Sequence, residues 1–225
     1  MKHQKEIWRL EPLNHMVSYN TNLLNGHLAL GISEFTACDV PDISAKYPEA
    51  SHWLVNHFLN SVFRGAFNNK YRQYAVNQIF RAQVAFADYH EARALTAEFL
   101  IKGKPDNPAI RTYFRAVARW ESCLLNLQIF IDVMNKMKSE LEQEPVFKVD
   151  DGTPEQRIYS IANKVKHWGS DVYENQHKEE DTTPMWLTNT GLKTQLHTIT
   201  FHELASIVSE IASVANELQD PTSWA

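Results

Sequence analysis

YRQYAVNQIFRAQVAFADYHEARALTAEFLI, Tyr71 to Ile101, contains no proline and no glycine and is rich in alanine and leucine. Its apolar residues recur at three and four (Tyr71, Tyr74, Ala75, Ile79, Ala82, Phe86, Tyr89), the spacing that lines one face of a helix. Lys102-Gly103-Lys104-Pro105 stops the pattern, with Gly103 in the C-cap region and Pro105 beyond it. A second long helix opens at Asp106-Asn107-Pro108, where Asp106 or Asn107 can cap and Pro108 suits the first turn. That pattern runs to about Leu141, and the short connection makes the two helices antiparallel neighbours.

Upstream, Pro48 to Phe63 reads as a shorter helix, and Asn22 to Phe35 as another that Gly26 and Gly31 weaken. Downstream, Thr153-Pro154-Glu155-Gln156 has the form of a capping box, so a helix starts at Pro154 and ends around Gly169. Tyr173 to Pro184 is a polar loop, and Asn189-Thr190-Gly191 marks a small hairpin within Trp186 to Thr200. Thr200-Phe201-His202-Glu203 is a second capping box, opening a last helix that runs to about Leu218. The expected fold is all-α: a bundle of four or five main helices over residues 46–225, a β-hairpin before the last helix, and an N-terminal segment, 1–45, packing on the bundle.

A chain of 225 residues supports a hydrophobic core without staples. The net charge of −5 gives no global attraction for nucleic acid or an anionic membrane, so a polyanion requires a local basic patch. Cys38 and Cys123 lie far apart with no CxxC spacing and read as reduced thiols. MKHQKEIWRL lacks the apolar stretch of a signal peptide, and no apolar run approaches the roughly 18 to 20 residues of a membrane span. The expected location is the cytoplasm, with no membrane partner.

Ten histidines invite a metal site. Glu-x-x-His occurs at Glu49/His52 and Glu174/His177, but di-iron bundles also need glutamates on two other helices, and the second match falls in the polar loop. His52/His57 and His197/His202 are five apart and point to different helix faces. HExxH, GxSxG and a phosphate-cradling glycine loop are missing, so neither metal nor cofactor is expected. Arg111, Arg115 and Arg119 form a basic row that resembles a phosphate track. Antiparallel pairing of the two long helices instead sets Glu98 beside Arg111 and Glu91 beside Arg119, which favours interhelical ion pairs.

One helix carries the remaining candidates: RIYSIANKVKHWGS, Arg157 to Ser170. At about 100° per residue, Ile158, Ile161, Ala162, Val165 and Trp168 form a core-facing stripe. Arg157, Ser160, Asn163, Lys164 and His167 form a polar face, with Asn163 one turn before His167. Such a face is solvated, or meets an anion, an RNA phosphate or a partner helix.

Asn163 and His167 resemble the motif of the HEPN superfamily, in which an arginine, commonly followed by a polar residue, precedes a histidine by four to six positions late in a helix. HEPN domains are compact helical bundles, often dimers, and many are metal-independent ribonucleases. The motif arginine would fall at Ser160, Ile161 or Ala162, none of which is basic. The resemblance covers roughly residues 70 to 218, including WLTNTGL and FHELASI, and implies His167 and Asn163 as catalytic. Arg157, Ser160, Lys164 and Lys166 would then bind substrate. Lysine lacks the guanidinium fork that pairs two phosphate oxygens, so a relocated base implies weak catalysis. A HEPN-like RNA-binding or regulatory module of a bacterial defence or toxin–antitoxin type system is therefore expected. A homodimer, RNA and a protein partner are its expected contacts. The alternatives are an active metal-independent ribonuclease using His167, in which the RNA 2′-hydroxyl attacks the adjacent phosphate, and a helical protein–protein interaction domain with no nucleic-acid role.

Overall fold

Two long helices, α2 (Asn69–Lys102) and α3 (Ile110–Glu140), form the spine of the bundle, and the other long helices pack against one or the other of them. The computed structural model describes residues 25–26, 28–64, 69–103, 109–174 and 182–220. Among these the chain is mostly helical, adding α1 (Trp53–Arg64), α4 (Pro154–Tyr173) and α5 (Phe201–Leu218) to the spine. The expected all-α bundle is the observed one. The proposed caps Asp106 and Asn107, together with Pro108, His177 and residues 1–24, lie outside the described residues.

The three-and-four spacing of α2 works as the sequence implies: Ala75, Ile79, Ala82, Phe86 and Tyr89 are all buried. Tyr89 meets Trp120 of α3 edge-on at 5.4 Å, and Trp120 meets Phe201 of α5 at 5.5 Å, which ties three helices through aromatic contacts. The Trp120 indole, fully buried, donates to Thr96 Oγ1 at 3.0 Å, so its polar atom is satisfied where water is absent. Gly103 closes α2 with an N–H donated to the Phe99 carbonyl at 2.7 Å.

The described part of the N-terminal segment lies along α2. Ala29, Ile32, Phe35 and Ile43 enter the core, and Phe35 stacks on Phe99. Tyr89 Oη donates to the Pro41 carbonyl, and Arg93 Nε to that of Val40. The weak helix expected over Asn22 to Phe35 is not continued: residues 28–34 are mainly turns, with Gly31 at φ +67°, a left-handed conformation that interrupts helical backbone. The helix expected from Pro48 begins instead as a short 3-10 turn, Ala50–His52, that leads into α1.

Three further expectations are corrected. The hairpin carries a third strand: β1 (Trp186–Leu187), β2 (Gly191–Lys193) and β3 (Thr198–Thr200) form an antiparallel sheet in that order. β3 runs straight into the Thr200 cap of α5, so strand and helix share one residue as end and start. Helix α4 continues past Gly169 to Tyr173, because one glycine costs only about 1 kcal/mol in a helix interior. At Thr153 the hydroxyl does accept from Gln156 N, but the reciprocal half of the box is missing. The Gln156 side chain donates to Ser160 Oγ, and Asp151 takes the Thr153 N–H. At Thr200 both halves of the box are present.

The basic row of α3 is resolved in part as expected. Arg119 reaches Glu91 at 3.0 Å and also Asp88 at 3.1 Å, and Ser122 donates to the second oxygen of the buried Asp88 carboxylate. Glu98, however, pairs with Lys102 at 2.7 Å rather than with Arg111. A lysine four residues along the same helix is the nearer cation. It holds the Glu98 carboxyl below the usual range, with a smaller contribution from Arg115.

Candidate functional site

Helix α4 lies between α3 and the α5–β3 corner, and this placement decides what its polar residues meet. The apolar stripe is as expected in four of its five residues: Ile158, Ile161 and Ala162 are fully buried and Val165 packs against the core, but Trp168 is only half-buried and lies under Lys164 instead. The polar face, in contrast, is largely taken up by the protein itself.

Arg157 is the clearest case. Its Nη2 donates to Glu203 Oε1 at 2.6 Å, and its Nη1 donates to Glu203 Oε2 at 3.3 Å and to the Thr198 carbonyl at 2.9 Å. Glu203 also completes the Thr200 capping box, accepting from Thr200 N at 3.0 Å and from Thr200 Oγ1 at 2.9 Å. With the guanidinium first among the causes, its carboxyl is held down to about 2. Arg157 is thus an anchor between α4, β3 and α5.

Asn163 faces α3, where its Oδ1 accepts from Nε2 of the buried Gln128. One turn earlier, Tyr159 shares hydrogen bonds with Asp132 and Gln128, and burial is the main reason its phenol titrates above the usual range. Ser160 accepts from Gln156 within α4. Lys164 pairs with Asp171 and lies over the Trp168 ring at 5.3 Å. Of the six residues proposed from sequence, only Lys166 and His167 are exposed, side by side toward the C-terminal end of the helix. The structure does not bring Arg157, Asn163 and His167 together as one anion-binding cluster.

No group of three or more His, Cys, Asp or Glu among the described residues is arranged to hold a metal ion. Cys123 is buried and Cys38 half-buried; both are free thiols, and burial raises both above the usual range. No described helix is long and apolar enough to cross a membrane.

Among the concave features that the sequence did not reveal is a groove of about 610 Å³ between residues 44–51 and α2. Its walls include Tyr47, Phe86, Val84 and Ala87, and His90 lies at one side with a buried Nε2 that has no hydrogen-bond partner. Desolvation lowers the His90 imidazole below the usual histidine range, which favours the neutral ring. Nothing local in Tyr89-His90-Glu91 marks it, because the groove exists only once residues 44–51 lie against α2. Comparison of the chain with family models, curated proteins and solved structures yields no match.

Proposed function

We propose that this chain is a HEPN-like binding or regulatory module, of the kind that serves bacterial defence or toxin–antitoxin type systems, and that it acts by contact rather than by catalysis. The observation that carries this is the engagement of Arg157 by Glu203 and the Thr198 carbonyl. With Ser160, Ile161 and Ala162 at the motif-arginine position, Arg157 is the only arginine on the helix. Its charge is neutralised at the contact with α5, whereas Asn163 faces Gln128 of α3. Lys164 is likewise paired with Asp171. Transition-state stabilisation in phosphoryl transfer needs fixed positive charge aimed at the phosphate, and α4 commits Arg157 and Lys164 elsewhere.

The contact left to the helix is Lys166 with His167, a small exposed pair suited to one RNA phosphate. The test is incubation of the purified protein with labelled single-stranded RNA in the presence of a chelator. The expected result is intact RNA, bound with an affinity that falls as salt rises. Lys166→Ala should weaken binding and reduce the salt slope by about 1. Cleavage that persists in chelator and disappears in His167→Ala would establish the ribonuclease instead. Absence of RNA binding at low salt would leave a protein-interaction domain.

A further inference from the structure

Helix α1 is amphipathic in the reverse sense. At about 100° per residue, Trp53, Asn56, His57 and Asn60 share one side of its axis, and Val55, Phe58, Leu59 and Val62 share the opposite side. The first side faces the bundle. Trp53 Nε1 donates to Asn216 Oδ1, Asn56 donates to the Gln219 side chain, and Asn60 donates to the Gln219 carbonyl. His57 Nδ1 donates to the Leu218 carbonyl at 2.8 Å. These bonds to the end of α5 fix the rotation of α1, so the second side points outward by construction. Val55 is 54% exposed, Phe58 55%, Leu59 43% and Val62 59%.

The neighbouring surface continues the apolar character. Leu54 N donates to Gln83 Oε1, so α1 runs antiparallel beside the first turns of α2, and there Val76 and Phe80 are also exposed. Val55, Phe58, Leu59, Val62, Val76 and Phe80 are six of the twelve large apolar side chains exposed among the described residues. Solitary exposed hydrophobes are ordinary, but a clustered face beside a hydrogen-bonded polar one is not.

We infer that this α1–α2 face is the interface with a second copy of the same chain, α1 packing antiparallel on its counterpart about a two-fold axis near Phe58 and Leu59. Two observations select a second copy over a foreign partner. From Trp53 to Val62 there is no Asp, Glu, Lys or Arg, so α1 meets its own image without like-charge repulsion. Arg81 lies over the Phe80 ring and donates to Asn126 Oδ1, while exposed charges of opposite sign flank the stripe, Glu49 before α1 and Arg72 in the first turns of α2. An antiparallel two-fold pairing brings each toward its opposite on the other copy, the self-complementarity an isologous contact needs. The six side chains expose on the order of 400–500 Å² per copy. Pairing two copies therefore buries about 800–1,000 Å² in total from these side chains, and the polar rim around them carries the contact toward the roughly 1,200 Å² at which stable interfaces begin. The inference is independent of the proposed function, since it uses no residue of α4.

The test is the mass in solution of the full chain by light scattering and sedimentation at about 0.1 mM, well above a micromolar dissociation constant. The expected mass is twice 26.0 kDa. Phe58→Glu, and separately the uncharged pair Phe58→Gln with Val62→Gln, should halve it while leaving the helical circular dichroism unchanged. Ile101→Glu, at the far end of α2 and 82% exposed, should leave the dimer intact. A monomeric wild type overturns the inference, whether the face is then covered by residues 1–24 or by another protein. So does a dimer that survives both sets of substitutions, or one that Ile101→Glu dissolves equally well.

Discussion

Arg157 and Glu203 meet through both ends of the guanidinium and both carboxylate oxygens, at 2.6 and 3.3 Å, while the same carboxylate closes the cap of α5 at Thr200. One ion pair therefore joins two helix starts, one of them reached through β3. Bidentate geometry and partial burial make such a pair stronger than an ordinary surface contact.

Arg157→Gln should destabilise the fold by about 1 to 2 kcal/mol at neutral pH. The sign of the pH dependence follows from Glu203, whose carboxyl is lowered from 4.5 to about 2 in the folded protein. Its contribution is complete above about 4.5 and is lost as pH falls toward 2. The stability gap between wild type and Arg157→Gln, read from urea midpoints, should be constant above pH 6 and shrink through that acid window. A gap independent of pH, or no gap at all, would show that Arg157 is not an anchor.

The two threonine caps should differ in strength. Thr200 both accepts from Glu203 N and, with its own N–H and hydroxyl, donates to the Glu203 carboxylate. Thr153 accepts from Gln156 N at 3.3 Å and leaves its other bonds to Asp151. Thr200→Ala should cost about 1.5 to 2 kcal/mol and Thr153→Ala about 0.5 to 1. Thermal melts of the two variants compare them directly, and equal losses would show that the reciprocal bond adds nothing.

This difference shows where the sequence was legible. Helix periodicity and both cap positions depend on neighbours within one turn, so α2, α3, α4 and α5 could be placed from the chain alone. The Arg119–Glu91 pair was legible too, because a short connection makes antiparallel register nearly arithmetic. The polar face of α4 was not. Its partners are Glu203 from α5, Gln128 from α3 and the Thr198 carbonyl of β3, each brought in by tertiary packing and each far away in sequence. A helical wheel reports direction and not who stands there. For the same reason α1 could be recognised as a helix without revealing that its polar side faces inward.

Gly191 is the tightest point of the small sheet. A Cβ there would lie 2.0 Å from the Ile199 carbonyl oxygen and 2.7 Å from Thr200 Cα, both backbone atoms that no side-chain rotation can clear. Gly191 pairs with Thr200, so the clash would press on the start of α5 as well as on β3. Gly191→Ala should destabilise by about 3 kcal/mol or more, with amide exchange of β2, β3 and the first turn of α5 accelerated together. A variant as stable as wild type would mean that the strands separate at little cost and that the sheet does not hold the α5 start.

Asn163 and His167 sit one turn apart on α4, yet they should respond to substitution in opposite ways. Asn163 Oδ1 is the acceptor for an amide donor of Gln128, which is only 4% exposed. Asn163→Ala removes that acceptor from a place water reaches poorly, and a buried donor left unmatched costs about 1 to 3 kcal/mol. His167 is exposed near the end of the helix, so His167→Ala should change stability by no more than about 0.5 kcal/mol. RNA binding should reverse the order: reduced in His167→Ala, and preserved in Asn163→Ala at temperatures where that variant is folded. Paired measurement of the thermal midpoint and of RNA affinity in both variants separates the two roles. If Asn163→Ala kept its stability but lost RNA affinity, the asparagine would belong to a binding site with the histidine. If His167→Ala unfolded instead, the histidine would be part of the packing of α4.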